Sequence, residues 1–163
     1  MFKVGIIGAG WIAEKMAEAL APLEDYCVYA IASRSIGKAT EFAGRWNIPK
    51  AYGSYEDMVK DNDVDLVYIA TPHSHHFPHA MLALNAGKPV LVEKAFTANA
   101  AEAEELIETA RSKGLFITEA IWTRYMPLSH KIKEIMESGI IGKPRVITAT
   151  LCYMMEFKER ILR

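Results

Sequence analysis

The stretch Lys3-Val4-Gly5-Ile6-Ile7-Gly8-Ala9-Gly10-Trp11-Ile12-Ala13 constrains this chain more than any other. A short apolar run leads into two glycines one residue apart. An alanine two residues further on sits inside a helix-like segment. This is the G-x-G-x-x-A form of the dinucleotide-binding fingerprint, in which each small residue has a job. Gly8 lets the chain turn sharply off the end of a strand. Gly10, without a side chain, lets a pyrophosphate approach the backbone. Ala13 lets the helix pack closely on the strand. The helix that starts at Trp11 and Ile12 then offers free N–H groups and a positive dipole end. An ordinary strand–turn–helix corner carries the same small residues, so the rest of the chain has to decide.

Strand-like and helix-like segments alternate along the whole sequence. Trp11 to Ala21 reads as a helix with Ile12, Met16, Ala17 and Leu20 on one face. Tyr26 to Ala32 is an apolar run of strand length. Ser35 is expected to cap a helix from about Lys38 to Trp46. Ala51-Tyr52 is a brief strand, and Ser54 caps a short helix. Val64 to Ala70, Pro89 to Glu93 and Leu115 to Glu119 read as further strands. Between them lie helices over Phe77 to Ala86 and from the Asn99 cap to Lys113-Gly114. Pro127 to Ser138 is a last helix. Strands apolar on both faces and separated by helices call for an α/β fold, a doubly wound parallel sheet of Rossmann type.

Composition excludes several classes. A net charge of −1 over 163 residues gives no basic surplus for nucleic acid or an anionic membrane. No apolar run approaches the ~18–20 residues of a membrane span. Strand signal begins almost at Met1, with no basic-then-apolar leader, and Cys27 and Cys152 are too few for a disulfide framework. Cys27 reads as a buried thiol. These features are those expected of a cytoplasmic protein.

The second strand ends where an NAD-binding protein places an acidic residue on the ribose 2′-hydroxyl. Here the chain reads Ser33-Arg34-Ser35, with Lys38 one turn on and no carboxylate. Arg34 can pair with a 2′-phosphate through its planar fork, and the two serines can donate hydrogen bonds. The expected cofactor is therefore NADP, with NAD less favoured. In the competing reading, Arg34 stacks on adenine or lies in solvent.

Ligands of such sheets bind beyond the carboxyl ends of the strands, so the residues after each strand matter most. Those residues are Thr71-Pro72-His73-Ser74-His75-His76, Glu93-Lys94-Ala95 and Glu119 to Pro127. Four of the five histidines fall between His73 and His79, which raises the question of a metal. His75 and His76 are adjacent and cannot easily reach one ion together, so no metal is expected. His79 reads as a helix-surface residue.

With Gly8-Ala9-Gly10-Trp11-Ile12-Ala13, Ala32-Ser33-Arg34-Ser35, Thr71-Pro72-x-x-x-His76, Glu93-Lys94 and Trp122-Thr123-Arg124 in this order, the sequence resembles the Gfo/Idh/MocA oxidoreductase family. The likeness is to its dihydrodiol dehydrogenase and glucose–fructose oxidoreductase type. The resemblance implies that Ala70, Thr71 and Pro72 line the cofactor cleft, with His73 facing the nicotinamide and His76 at the helix start. It implies that Lys94 acts at the reacting carbon, where an ammonium could hold a substrate oxygen, and that Glu93 orients it. It places Trp122 and Arg124 near the nicotinamide and phosphates. Position 95 is Ala where most of the family has Pro, so a trans Lys94–Ala95 bond is expected.

The resemblance covers the first half of a family member. It divides the chain into a nucleotide-binding domain over 1–125, a connecting helix and linker over 126–143, and the first strand of a truncated substrate domain over 144–163. Arg145 to Met155 reads as one long strand, which has to fold back, pair with another chain as a homo-oligomer, or stay disordered. Two functions follow. One is NADP-dependent hydride transfer to or from a secondary alcohol or carbonyl of a sugar-like or dihydrodiol substrate. The other is a nucleotide-binding module with little or no turnover. The resemblance implies that the residues reading the substrate lie outside this sequence.

Overall fold

A computed structural model describes residues 1–150 and Cys152. The chain divides into two compact units, Met1–Ile121 and Trp122–Arg163.

The first unit is built on one six-stranded sheet, with β1 at Phe2–Ile7, β2 at Tyr26–Ala32, β3 at Lys50–Tyr52, β4 at Leu66–Ile69, β5 at Val90–Val92 and β6 at Ile117–Glu119. The spatial order is β3-β2-β1-β4-β5-β6, and every neighbouring pair is parallel. The connecting helices are α1 at Trp11–Leu20, α2 at Ile36–Trp46, α3 at Tyr55–Val59, α4 at His76–Asn85 and α5 at Ala100–Ser112. Successive strand residues point to opposite faces, and the core splits accordingly. Ile6, Ile31 and Tyr68 join Ala13, Ala17, Phe42 and Ala43 of α1 and α2 in one layer. Ile7, Val67, Ile69, Val90 and Val92 join Met58, Ala80, Leu84 and Leu106 of α3, α4 and α5 in the other. Strands buried from both sides explain the unbroken apolar runs. The order of the strands reverses between β1 and β4, which opens a crevice at their carboxyl ends.

The helix caps obey the local chemistry in two cases of three. Ser54 Oγ accepts from the Asp57 N–H at 3.1 Å, and Asn99 Oδ1 accepts from the Glu102 N–H at 3.0 Å. Ser35 occupies the cap position of α2 but its hydroxyl caps nothing, and the helix begins at Ile36 rather than Lys38. The Ser35 N–H instead donates to Ser33 Oγ at 3.4 Å, so the two serines shape the loop after β2. Cys27 is half-buried rather than fully buried.

The second unit opens with a 3-10 turn, Trp122–Tyr125, followed by α6 at Pro127–Glu137. The long strand expected over 145–155 does not form in its described part. Residues 144–150 carry no strand and are exposed, and Leu151 and 153–155 lie outside the described residues. A strand exists through hydrogen bonds to a neighbour, and among the described residues none is offered to this segment. Among the described residues, no helix is long and apolar enough to cross a membrane.

The outer strand β3 is held by a polar cluster below the sheet. Asp61 Oδ2 accepts from Lys50 Nζ at 2.9 Å and from the Tyr52 hydroxyl at 2.6 Å. Burial works against the charge on Asp61, but the Tyr52 hydroxyl and the Lys50 ammonium win and hold its carboxyl at about 2. An unfolded aspartate titrates near about 3.9, so this contribution is complete above that pH and is lost as pH falls toward the folded value. Unfolding titrations are expected to show the wild-type chain losing more stability than Asp61→Asn between about pH 4 and pH 2. Parallel losses in the two proteins would contradict the assignment.

Candidate functional site

The crevice begins at the turn after β1. Gly8 has φ +104°, a conformation that L side chains rarely adopt, and a Cβ there would stand 2.8 Å from the Ala70 carbonyl oxygen. The turn is therefore pressed against the end of β4, and the Gly8 N–H donates to the Ala32 carbonyl at 2.9 Å on the other side. Gly10 is different. It caps α1 in an extended conformation, and a Cβ built on it would meet nothing within 4 Å. Packing does not require glycine at position 10, because the space above the helix N-terminus is open. Ala13 is fully buried and lets α1 lie close to the sheet. Trp11 and Ile12 follow the cap, so their N–H groups belong to the first turn, which has no intrahelical acceptor.

Ser33, Arg34, Ser35 and Lys38 line the end of β2 and the start of α2, with Arg34, Ser35 and Lys38 exposed. No carboxylate pairs with Arg34 or Lys38 among the described residues. The end of β4 leads through Ala70, Thr71 and Pro72 into a 3-10 turn, His73–His75. His73 and His75 are exposed. His76 is fully buried, with Nδ1 2.7 Å from the Ala95 carbonyl oxygen and Nε2 2.9 Å from the Thr71 carbonyl oxygen. Both nitrogens thus face main chain of this protein. His79 is not the surface residue expected from its helix position. It is half-buried, its Nδ1 lies 3.0 Å from Thr71 Oγ1, and its ring meets Tyr55 edge-on at 4.7 Å. Burial first, and then the neighbouring His75, push its titration down to about 4. Among the described residues no three His, Cys, Asp or Glu side chains converge on a metal-binding arrangement.

Lys94 is the second residue after β5 and is exposed, and among the described residues its ammonium has no ion-pair partner. The peptide around it is tightly held. Glu93 Oε2 accepts from the Lys94 N–H at 3.1 Å, and Glu93 Oε1 accepts from the Tyr68 hydroxyl at 2.5 Å. Burial first, and then the Glu93 carboxylate, hold the Tyr68 phenol far above its ordinary range, which keeps it a donor. The Phe96 N–H donates to Glu119 Oε1 at 2.9 Å. The Lys94–Ala95 bond is cis, not trans as position 95 without proline suggests. The peptide group before it is bonded to Glu93, and the one after it to His76 and Glu119, which the local sequence does not display.

The structure thus brings Gly8, Ala70, Thr71, His76 and the Lys94 segment into one continuous set of contacts. Trp122 and Arg124 lie on the 3-10 turn of the second unit. Sequence reasoning missed Tyr68, His79 and Glu119. A signal was present for two of them. A tyrosine inside a buried strand has to pair its hydroxyl, and Glu119 ends β6 just as Glu93 follows β5.

Comparison with known proteins places these observations. Residues 2–120 match the family model for the Gfo/Idh/MocA oxidoreductases, described as an oxidoreductase family with an NAD-binding Rossmann fold. The chain is 46% identical over 147 residues to a mouse trans-1,2-dihydrobenzene-1,2-diol dehydrogenase, covering 89% of this chain and 44% of that protein. It is 50% identical over 152 residues to a D-xylose 1-dehydrogenase (NADP(+)) of Hypocrea jecorina, covering 86% of this chain and 39% of that one. An NAD binding oxidoreductase from Klebsiella pneumoniae superposes with a TM-score of 0.82 at 31% identity, over 86% of this chain and 40% of that one. The 3-ketoreductase KijD10 from Actinomadura kijaniata, solved in complex with TDP-benzene and NADP, gives 0.78 at 32% identity in one variant, over 86% and 45%. The chain therefore spans less than half the length of each of these relatives.

Two outcomes are expected from this geometry. Gly8→Ala should lose about 1–3 kcal/mol of stability through its backbone conformation and its contact with Ala70, whereas Gly10→Ala should melt within about 0.5 kcal/mol of wild type. Equal losses in thermal unfolding would contradict the open space at Gly10. For His79, an unfolded ring titrates near about 6.5 and the folded ring near about 4. Between those values the unfolded chain binds the extra proton, so stability falls as pH falls. His79→Gln should flatten that slope in urea unfolding; an unchanged slope would contradict the assignment.

Proposed function

The chain belongs to the Gfo/Idh/MocA oxidoreductase family, and from that premise we propose that it binds NADP in the β1–β4 crevice for hydride transfer with a secondary alcohol or carbonyl compound of sugar-like or dihydrodiol type. The observation that carries this reading is Gly10, the cap of α1, where a Cβ would meet no protein atom and a pyrophosphate has room against the helix N-terminus. The residues present fit the cofactor. Gly8, Gly10, Trp11, Ile12 and Ala13 would hold the pyrophosphate. Ser33, Arg34, Ser35 and Lys38 would hold the 2′-phosphate. Ala70, Thr71, Pro72, His73, Glu93 and Lys94 would border the nicotinamide half, and His76 would act from beneath. The nicotinamide, when bound, supplies the hydride chemistry.

The chain's own part is to orient and to stabilise charge. Lys94 presents an ammonium, without an ion-pair partner among the described residues, beyond β5, where it can donate to a substrate oxygen and stabilise it as it gains alkoxide character. The Tyr68–Glu93 pair fixes the carboxylate that holds the Lys94 N–H. The absence of a carboxylate beside Arg34 among the described residues supports NADP over NAD, since an anion there would repel the 2′-phosphate. The dihydrodiol, D-xylose and ketoreductase activities of the relatives support the substrate class.

The same proposal includes a nucleotide domain over 1–125, a connector over 126–143 and the start of a second domain over 144–163. It includes a cytoplasmic setting, and assembly of copies through the exposed residues 145–150, whose backbone is unpaired among the described residues and so open to pairing. A second reading is a nucleotide-binding module with little or no turnover. Assays of NADPH oxidation and NADP reduction on a panel of sugars and dihydrodiols separate the two.

Fluorescence titration should show NADPH binding tighter than NADH. Arg34→Ala should weaken NADPH by roughly 10- to 100-fold, the worth of charge-assisted hydrogen bonds, and leave NADH nearly unchanged. Equal affinities in the wild type, or equal losses in the variant, would overturn the NADP assignment.

A further inference from the structure

His76 is the one polar residue in the buried core among the described residues. Its two ring nitrogens each face a main-chain carbonyl oxygen, Ala95 at 2.7 Å and Thr71 at 2.9 Å. A carbonyl oxygen only accepts, and a neutral imidazole carries a hydrogen on one nitrogen and a lone pair on the other. Either neutral tautomer would therefore set a lone pair against a carbonyl lone pair at hydrogen-bond distance. It would also leave one nitrogen of the buried ring without a hydrogen-bond partner, at a cost. Both contacts are hydrogen bonds only when both nitrogens carry hydrogen.

We propose that His76 stands in the folded protein as an imidazolium that donates through both nitrogens. In that form it clasps the loop after β4 to the peptide that follows Lys94. The protonation rests on the donor count alone. The consequence, that His76 is a positioning residue for Lys94, rests on the function proposed above. Burial and the N-terminal end of α4 both disfavour a cation here. Two charge-assisted bonds of 2.7 and 2.9 Å are the compensation. The other titratable groups on the elements that meet at the clasp are few. The His73 ring lies edge-on at 5.4 Å, and His75 and His79 precede and follow on the same turn and helix. Tyr68 comes from β4, Glu93 and Lys94 from the end of β5, and Glu119 from β6. Glu93 and Glu119 bond the Lys94 and Phe96 N–H groups that flank the clasped Ala95 carbonyl. A neutral ring could hold one of the two loops; the charged ring holds both.

The test is imidazole nitrogen NMR of the full chain labelled at histidine, at about pH 7.5, a unit above the ordinary histidine value. Five histidines are present, and His73→Gln, His75→Gln, His79→Gln and His130→Gln assign His76 by elimination while keeping its ring and both carbonyl partners in place. The expected result is two N–H-type ring nitrogens for His76. A bare, lone-pair nitrogen on His76 would overturn the proposal. The second arm follows NADPH binding as pH rises. Loss of the second ring hydrogen should weaken NADPH by about tenfold, the worth of one charge-assisted hydrogen bond. Its midpoint should be shared with the NMR transition, and the step should be missing from His76→Gln. A binding step that persists in His76→Gln, or that departs from the NMR midpoint, would overturn the positioning role. If NADPH does not bind at all, the proposed function fails while the NMR result still decides the charge on His76.

Discussion

A Cβ on Gly8 would sit 2.8 Å from the Ala70 carbonyl oxygen, and that closeness underlies the whole crevice. It presses the turn after β1 against the end of β4 and so sets where α1 begins. The sheet topology makes the approach possible, because β1 pairs with β2 on one side and β4 on the other. Chain after β1 returns to pair with β2 on one side, and chain after β4 returns to β5 on the other, so the two connections leave a gap between them. Gly8 closes the floor of that gap, and Gly10 leaves its mouth open.

A second layer of order sits beneath Lys94. The lysine side chain is exposed, but its peptide is bonded into the sheet edge from three directions: Glu93 braced by Tyr68 of β4, His76 of α4, and Glu119 of β6. Charge stabilisation at a reacting oxygen requires a donor placed before the charge develops, and a firmly held peptide under the ammonium serves that end. The polar groups that do this lie on strand ends and helix starts, where backbone pairing is incomplete and side chains can reach main-chain atoms.

Much of this was legible in the sequence, for physical reasons that differ by residue. Gly8, Gly10 and Ala13 announce themselves because few other residues can occupy a tight turn or a close helix packing. Unbroken apolar runs such as Tyr26–Ala32 reveal strands buried on both faces. Ser33-Arg34-Ser35 shows by what it lacks. The clasp at His76 was hidden, because its partners are carbonyl groups that carry no residue identity. Tyr68 and Glu93 come together through strand register across 25 positions, and His79 turned inward to Thr71 where helical periodicity left it outside. The run over 145–155 has strand composition, but composition supplies no neighbour to pair with, and its described part is not a strand.

In the function proposed, the dinucleotide would lie in one crevice, floored by Gly8 and bordered by the ends of β1, β2, β4 and β5. Backbone amide NMR of the chain titrated with NADPH tests it most directly. The account predicts shifts concentrated at residues 8–13, 33–38, 70–76 and 93–96. Saturable binding whose shifts fall on the opposite end of the sheet, around Leu20, Tyr26 and Trp46, and leave those four segments unmoved would contradict it.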